Sequence, residues 1–245
     1  MADNMTRIVS VFGDLDRLSA SMAAHIVSLI KKSNCNSMFS FAISGGSTPR
    51  TLYKLLGSRY SRELDWSKVH FFLGDERHVP PGNILSNYRM AKETLFDALE
   101  LPPENIHPVP FHIGKTESDA RDYEQELKNF FSHSDRTFDL TLLGMGSDGH
   151  TASLFPNSSA LDEKERWVVK VSVGVEPHER ITITYPVINS SKRVYFLVAG
   201  REKAAALKRA FEGEDFHLLP AAGVRDKSNG PHWWVDRGAY SLMKK

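Results

Sequence analysis

The chain predicts an α/β fold built on a mostly parallel sheet flanked by helices. Three observations predict it. Short β-branched apolar runs alternate with segments of helical period along most of the 245 residues. Several of those runs end in glycine-rich turns, and no internal repeat or linker-like stretch interrupts the alternation. The length fits one large α/β domain as well as two small ones, and with no linker in sight a single domain over residues 1–245 is the expectation.

Taken in order, Leu18, Met22, Ile26 and Leu29 recur at helical spacing and predict a helix. Phe39–Ile43 and Val69–Leu73 read as strands. Residues 102–115, bearing prolines and histidines, read as the longest irregular connection and a surface loop. Ala120, Tyr123, Leu127, Phe130 and Phe131 predict a second helix. Strands are expected over 138–143, 168–173, 181–184 and 194–199. Ala204, Leu207 and Phe211 predict a further helix, and 232–235 a last strand. The helical stripes are core faces and carry no chemistry.

Composition narrows the function. Apolar residues make up 41% and charged residues 25%, enough for a packed core. Lysine plus arginine is 31 against 30 acidic residues, with no basic block, so a nucleic-acid partner is not expected. An anionic ligand must then be held by a local cluster of donors. The one cysteine, Cys35, excludes an intramolecular disulfide and a cysteine-rich metal site. No apolar run approaches the ~18 residues of a membrane span, and the first eleven residues are too polar for a signal peptide, so a cytoplasmic address is expected.

In open α/β sheets the ligand crevice lies beyond the carboxyl ends of the strands. Three segments stand there: Ser44-Gly45-Gly46-Ser47-Thr48-Pro49, Gly74-Asp75-Glu76-Arg77, and Gly144-Met145-Gly146-Ser147-Asp148-Gly149-His150-Thr151. The first reads equally as a helix N-terminus presenting bare N–H groups to a phosphate or as an ordinary capped turn. It is not a nucleophile elbow, because Gly-x-Ser-x-Gly fails at Pro49. In the second, Arg77 suits a fork onto phosphate oxygens, and Asp75 suits accepting from a sugar hydroxyl or from His150. A surface salt-bridge cluster fits the same residues. Lys203, after the strand expected over 194–199, is either another cation of the site or a lysine on an exposed helical turn.

The third segment satisfies the G-x-G-x-x-G spacing, yet Asp148 would place a negative charge where a pyrophosphate must approach. His150 stands where a phosphate loop needs lysine. Asp148 and His150 read better as a carboxylate–imidazole pair, histidine being the side chain that titrates nearest working pH. A histidine capping the next segment is the alternative. His25, His107, His112, His133, His217 and His232 show no H-E-x-x-H spacing, so no metal requirement is indicated.

Together these motifs resemble the 6-phosphogluconolactonases. The resemblance rests on Ser44 to Pro49, Gly74 to Arg77 followed by Ser86-Asn87-Tyr88, and Gly144 through Pro156. It continues through Arg180-Ile-Thr-Ile-Thr184, Gly200-x-x-Lys-Ala204 and Leu219-Pro-Ala-Ala222, covering about Phe39 to Asp236 in order. It implies a Rossmann-like parallel sheet related to glucosamine-6-phosphate deaminase, ribose-5-phosphate isomerase and the CoA-transferases. It also implies a phosphorylated sugar lactone as substrate and no organic cofactor. By resemblance His150 is the general base oriented by Asp148. Gly45, Gly46, Ser47 and Thr48 hold the phosphate with Arg77 and Lys203, while Asp75 and Arg180 complete the substrate site.

One departure stands out: Val175 occupies the position of a family lysine, so a phosphate contact is either lost or taken over by His178 or Arg180. Two rivals share the fold. The deaminases place a carboxylate five residues after the histidine, where this chain has Phe155. A sugar-phosphate sensor would need a DNA-binding segment, and none precedes residue 39.

Overall fold

In the computed structural model, residues 8–33, 38–226 and 230–243 are described; Cys35 lies outside them. β1 (Ile8–Phe12) leads to Asp14, whose carboxylate accepts from the Arg17 N–H and so starts α1 (Leu15–Lys32). The chain continues through β2 (Phe39–Ile43), α2 (Ser47–Arg59), β3 (Val69–Leu73), β4 (Asp75–Arg77), α3 (Asn87–Ala91), a π-helical turn, α4 (Asp97–Leu99) and β5 (Ile106–His107). Then come α5 (Thr116–Phe130), β6 (Leu140–Leu143), β7 (Val168–Ser172), β8 (Glu179–Ile183), α6 (Tyr185–Ile188), β9 (Val194–Val198), α7 (Ala204–Glu212) and β10 (His232–Asp236).

Seven strands form one parallel sheet in the order β1-β10-β9-β6-β2-β3-β5. This is the α/β, Rossmann-like architecture the sequence predicts. β2, β6 and β9 are buried along their whole length, as strands covered on both faces must be, and their residues are correspondingly apolar. The predicted helical stripes point inward: Leu18, Met22 and Ile26 of α1, Ala120, Tyr123 and Leu127 of α5, and Ala204 and Leu207 of α7 are buried. From β2 the chain runs outward through β3 and β5, then returns to β6 on the other side of β2 and proceeds to β9 and β10. The order therefore reverses between β2 and β6, where a crevice opens beyond the strand ends.

A second, antiparallel sheet has the order β4-β8-β7 and departs from the parallel pattern expected for 168–173 and 181–184. Pairing with β7 on one side and β4 on the other starts β8 at Glu179, and β6 begins at Leu140 instead of residue 138. Three strands escaped expectation. β1 is half-exposed at the sheet edge, β4 is three charged-to-acidic residues ordered by pairing with β8, and β5 is a two-residue strand inside the 102–115 connection.

Two buried tyrosines complete the backbone hydrogen bonding at strand ends. The Tyr53 hydroxyl accepts from the Ser44 N–H (3.0 Å) and donates to the Ser44 carbonyl (2.8 Å). Tyr123 does the same for Leu73, at 2.9 Å in both directions. Each satisfies a backbone donor and acceptor buried next to the crevice. Burial pushes both phenols well above their ordinary range. Among the described residues no helix is long and apolar enough to cross a membrane.

Candidate active site

A cavity of about 360 Å³ lies at the carboxyl ends of β2, β3, β6 and β9. Gly45, Gly46, Ser47, Thr48, Asp75, Arg77, His150, Arg180 and Lys203 all line it. Asp148 stands behind His150. The sequence-predicted site residues are thus brought together, although they come from strand ends far apart in the chain.

One wall is the start of α2. Gly46 occupies the N-cap with φ 103°, and no side chain caps the helix, so its first-turn N–H groups remain available beside the cavity. The amides and the positive end of the helix dipole make this an anion-binding corner. Gly45 is required by space: a Cβ there would overlap the Asn87 carboxamide. Asn87 donates through Nδ2 to the Asp75 carbonyl at 2.9 Å. The Glu76 carboxylate, 5% exposed, anchors this region by accepting from Ser86 Oγ and from the N–H groups of Arg77, Asn87 and Tyr88. Burial raises its pKa.

The second wall carries the cations. β4 pairs with β8 so that Arg77 stands directly opposite Arg180. Directly opposed residues of an antiparallel pair share a face, so two like charges are juxtaposed at the cavity. Arg77 donates to the Leu85 carbonyl at 2.6 Å. Arg180 is only 7% exposed, and its Nε finds no partner among the described residues. Burial, and next the charge of Arg77, lower its pKa. A buried guanidinium with an unmet donor beside a second one is the electrostatic environment that a dianion relieves. Lys203 closes the cluster from the turn after β9.

Asp75 departs from one expectation. Its carboxylate accepts from Ser153 Oγ at 2.6 Å and from Asn87 Nδ2 at 3.4 Å, and His150 pairs elsewhere. Asp75 nonetheless lines the cavity, with Ser153 setting its orientation.

His150 and Asp148 form the third wall. His150 Nδ1 lies 2.7 Å from Asp148 Oδ1, and the same oxygen accepts the His150 backbone N–H at 3.1 Å. A carboxylate at Nδ1 assigns the proton there and leaves Nε2 as the basic lone pair. The hydrogen bond from His150, opposed by partial burial, brings the Asp148 carboxyl down to about 2. The loop closes on itself through Gly146 N–H to the His150 carbonyl (2.8 Å) and Thr151 Oγ1 to the Gly144 carbonyl (2.8 Å). A Cβ at Gly146 would overlap both His150 Nδ1 and Asp148 Oδ1. Gly149 has φ 89°, and a Cβ there would strike Leu219. The glycines that imitate a dinucleotide motif therefore serve a turn that grips a side-chain pair.

Among the described residues no group of three or more His, Cys, Asp and Glu side chains is placed to hold a metal. His107 bonds Glu126, His112 bonds Asp119, and His217 bonds Asp162 and Asp215, all outside this cavity.

The family described as glucosamine-6-phosphate isomerases/6-phosphogluconolactonase matches residues 13–234. The chain belongs to this family. It is 43% identical to a 6-phosphogluconolactonase of Nostoc sp. over 71% of each chain. It is 35% identical to the 6-phosphogluconolactonase of Haemophilus influenzae, over 94% of this chain and 100% of that one. The solved 6-phosphogluconolactonase of Trypanosoma cruzi superimposes with a TM-score of 0.87 at 28% identity, covering 99% of both chains.

Within this family member, Val175 lies at the tip of the β7–β8 hairpin and lines the cavity while remaining 60% exposed. Of its two expected substitutes, Arg180 reaches the cavity. His178 turns back onto the hairpin, with Nδ1 on the Val173 carbonyl and Nε2 near Glu176. The residues that site reasoning missed are Asn87, Ser153 and Phe155. All three lie inside the motifs that carry the family resemblance, which was the available signal, but their contacts are long-range or sharply folded back and leave no local pattern.

Proposed function

We propose that this protein hydrolyses 6-phospho-D-glucono-1,5-lactone to 6-phospho-D-gluconate, with His150 as general base. The observation that carries the reading is one shared cavity. It has an imidazole polarised by Asp148 on one wall and, on the others, the uncapped start of α2 and the Arg77–Arg180 pair. The matching relatives named 6-phosphogluconolactonase support the same substrate.

In this reading the phosphate sits on the amides of Gly45, Gly46, Ser47 and Thr48 and is neutralised by Arg77, Arg180 and Lys203. Asp75 accepts from a sugar hydroxyl. Water on the lactone face loses a proton to His150 Nε2 while its oxygen adds to the C1 carbonyl. The tetrahedral intermediate then collapses: the bond between C1 and the ring oxygen breaks, and His150 returns the proton to that oxygen. Charge balances at each stage: the imidazolium forms together with the oxyanion of the intermediate, both are discharged on collapse, and the carboxylic acid so formed gives its proton to solvent, while Asp148 stabilises the transient imidazolium. General acid–base assistance of this kind contributes typically about 10²- to 10⁴-fold.

The same reading places the protein in the oxidative pentose phosphate pathway of the cytoplasm, acting as one domain. Deaminase chemistry is disfavoured, because the fifth residue after His150 is Phe155 and not a carboxylate. The test is a coupled assay on freshly generated δ-lactone. Wild type accelerates ring opening, and His150→Ala loses about 10²- to 10⁴-fold in kcat while still binding 6-phosphogluconate by calorimetry. Full activity in that variant refutes the mechanism.

A further inference from the structure

Resting on that reading, we infer that Phe155 is a positioning residue that holds the His150 ring in its working orientation. Among the described residues, the hydrogen bonds of the His150 side chain and N–H go to one oxygen, Asp148 Oδ1. A single tether at Nδ1 holds one edge of the ring, but one hydrogen bond tolerates a swing of tens of degrees about the broad Cβ–Cγ torsion, which redirects Nε2 at the far edge. The His150 side chain is one-third exposed, and Gly146 packs on it at the Nδ1–Cε1 edge, the edge already tethered.

Phe155 supplies the missing restraint. Its ring stacks on the imidazole with centroids 4.4 Å apart and planes inclined by 25°. One imidazole face is thereby covered, and both rings border the cavity. Tether and stack together define the ring plane and so the direction of the Nε2 lone pair.

The mount of Phe155 is built for this return. Thr151 and Leu154 exchange backbone hydrogen bonds (3.3 and 2.9 Å) around Ala152, which is held at φ 48°. A non-glycine residue in the left-handed region is strained, and it persists only where the surroundings over-determine it. Here the buried Leu154 and the Thr151 hydroxyl on the Gly144 carbonyl supply that determination. The result is a reversal of the chain immediately after His150 that lays residue 155 back over residue 150. The Phe155 carbonyl is itself fixed by the Ser158 N–H at 3.1 Å.

The test compares Phe155→Leu, which keeps an apolar side chain but removes the ring, with Phe155→Tyr, which keeps the ring. Phe155→Leu is expected to lower kcat on the δ-lactone by about 10- to 100-fold with KM changed by less than about twofold, since misdirecting the base affects chemistry and not substrate binding. Phe155→Tyr recovers most of that loss, and thermal melts of both variants match wild type. Phe155→Met repeats the comparison if the leucine variant melts early. Wild-type kcat in the leucine and methionine variants overturns the inference. So does a raised KM at unchanged kcat, which would make Phe155 a wall of the substrate pocket, or a tyrosine variant as impaired as the leucine one. Wild type and His150→Ala run alongside. If wild type does not open the lactone, or if His150→Ala does, the proposed function itself fails whatever Phe155 does.

Discussion

Gly146→Ala adds one methyl group at the point where Asp148 and His150 meet. Real Cβ atoms stay at least 3.0 Å from neighbouring heavy atoms, and this one would fall well inside that limit from both His150 Nδ1 and Asp148 Oδ1. The loop backbone resists yielding, because the Gly146 N–H is bound to the His150 carbonyl at 2.8 Å. The side chains therefore retreat, by roughly 1 Å, which takes the 2.7 Å Nδ1···Oδ1 contact beyond ordinary hydrogen-bond length. A misplacement of that size costs on the order of 10²-fold in rate, or about 2.7 kcal/mol of transition-state stabilisation. The walls proposed to hold the phosphate are untouched, so KM for the δ-lactone is expected to stay near wild type. Steady-state kinetics in the coupled assay, with a thermal melt to confirm folding, measures both quantities. A Gly146→Ala enzyme with wild-type kcat would refute the claim that the Asp148–His150 contact sets the rate.

Arg77→Ala removes one member of the opposed cation pair, and the expected result is a rise in KM larger than any fall in kcat, read from the same assay. Tyr53→Phe strips both the donor and the acceptor from the Ser44 backbone. Leaving such groups buried and unpaired costs about 1–3 kcal/mol, seen as a lower urea midpoint, with weaker binding of 6-phosphogluconate because Ser44 leads directly into Gly45. Acid stability should follow His25 and His232. Burial, and for His232 next the charge of His25, holds His232 down to about 4; burial, Arg193 and Lys32 lower His25. Because the folded protein keeps these rings neutral while the unfolded chain protonates near 6.5, their contribution is complete above about pH 6.5 and is lost as the pH falls towards 4. The His232 ring retains part of its hydration, so its share of the loss is on the order of 1–2 kcal/mol. Denaturant titrations at several pH values measure it, and His232→Gln should flatten the slope; an unchanged slope removes His232 as its source.

Legibility in the sequence followed the range of the interactions. The Asp148–His150 pair is two residues apart and the start of α2 lies within six, so both were local candidates; that this start is uncapped was left open by the sequence and is seen in the structure. The central strands were legible because their burial demands continuous apolar runs. Arg180 entered only through family resemblance, since its meaning depends on the β4–β8 register that sets it against Arg77. β4 itself carries Asp75, Glu76 and Arg77, a composition no strand propensity favours. Asn87 beneath Gly45, and Ser153 on Asp75, are contacts across tens of residues. β5 hid in a proline-rich connection because two residues cannot show a period.

The opposed arginines make the ligand a part of the framework. Without an anion, β4 and β8 are held together against the mutual repulsion of Arg77 and Arg180. In the proposed function, a phosphoryl group bridging the two turns that repulsion into attraction and ties the small antiparallel sheet to the amino end of α2. Occupancy should then tighten the seam between the two sheets, so that a phosphosugar acts as a removable rivet and the folded protein grows harder to melt as its concentration rises.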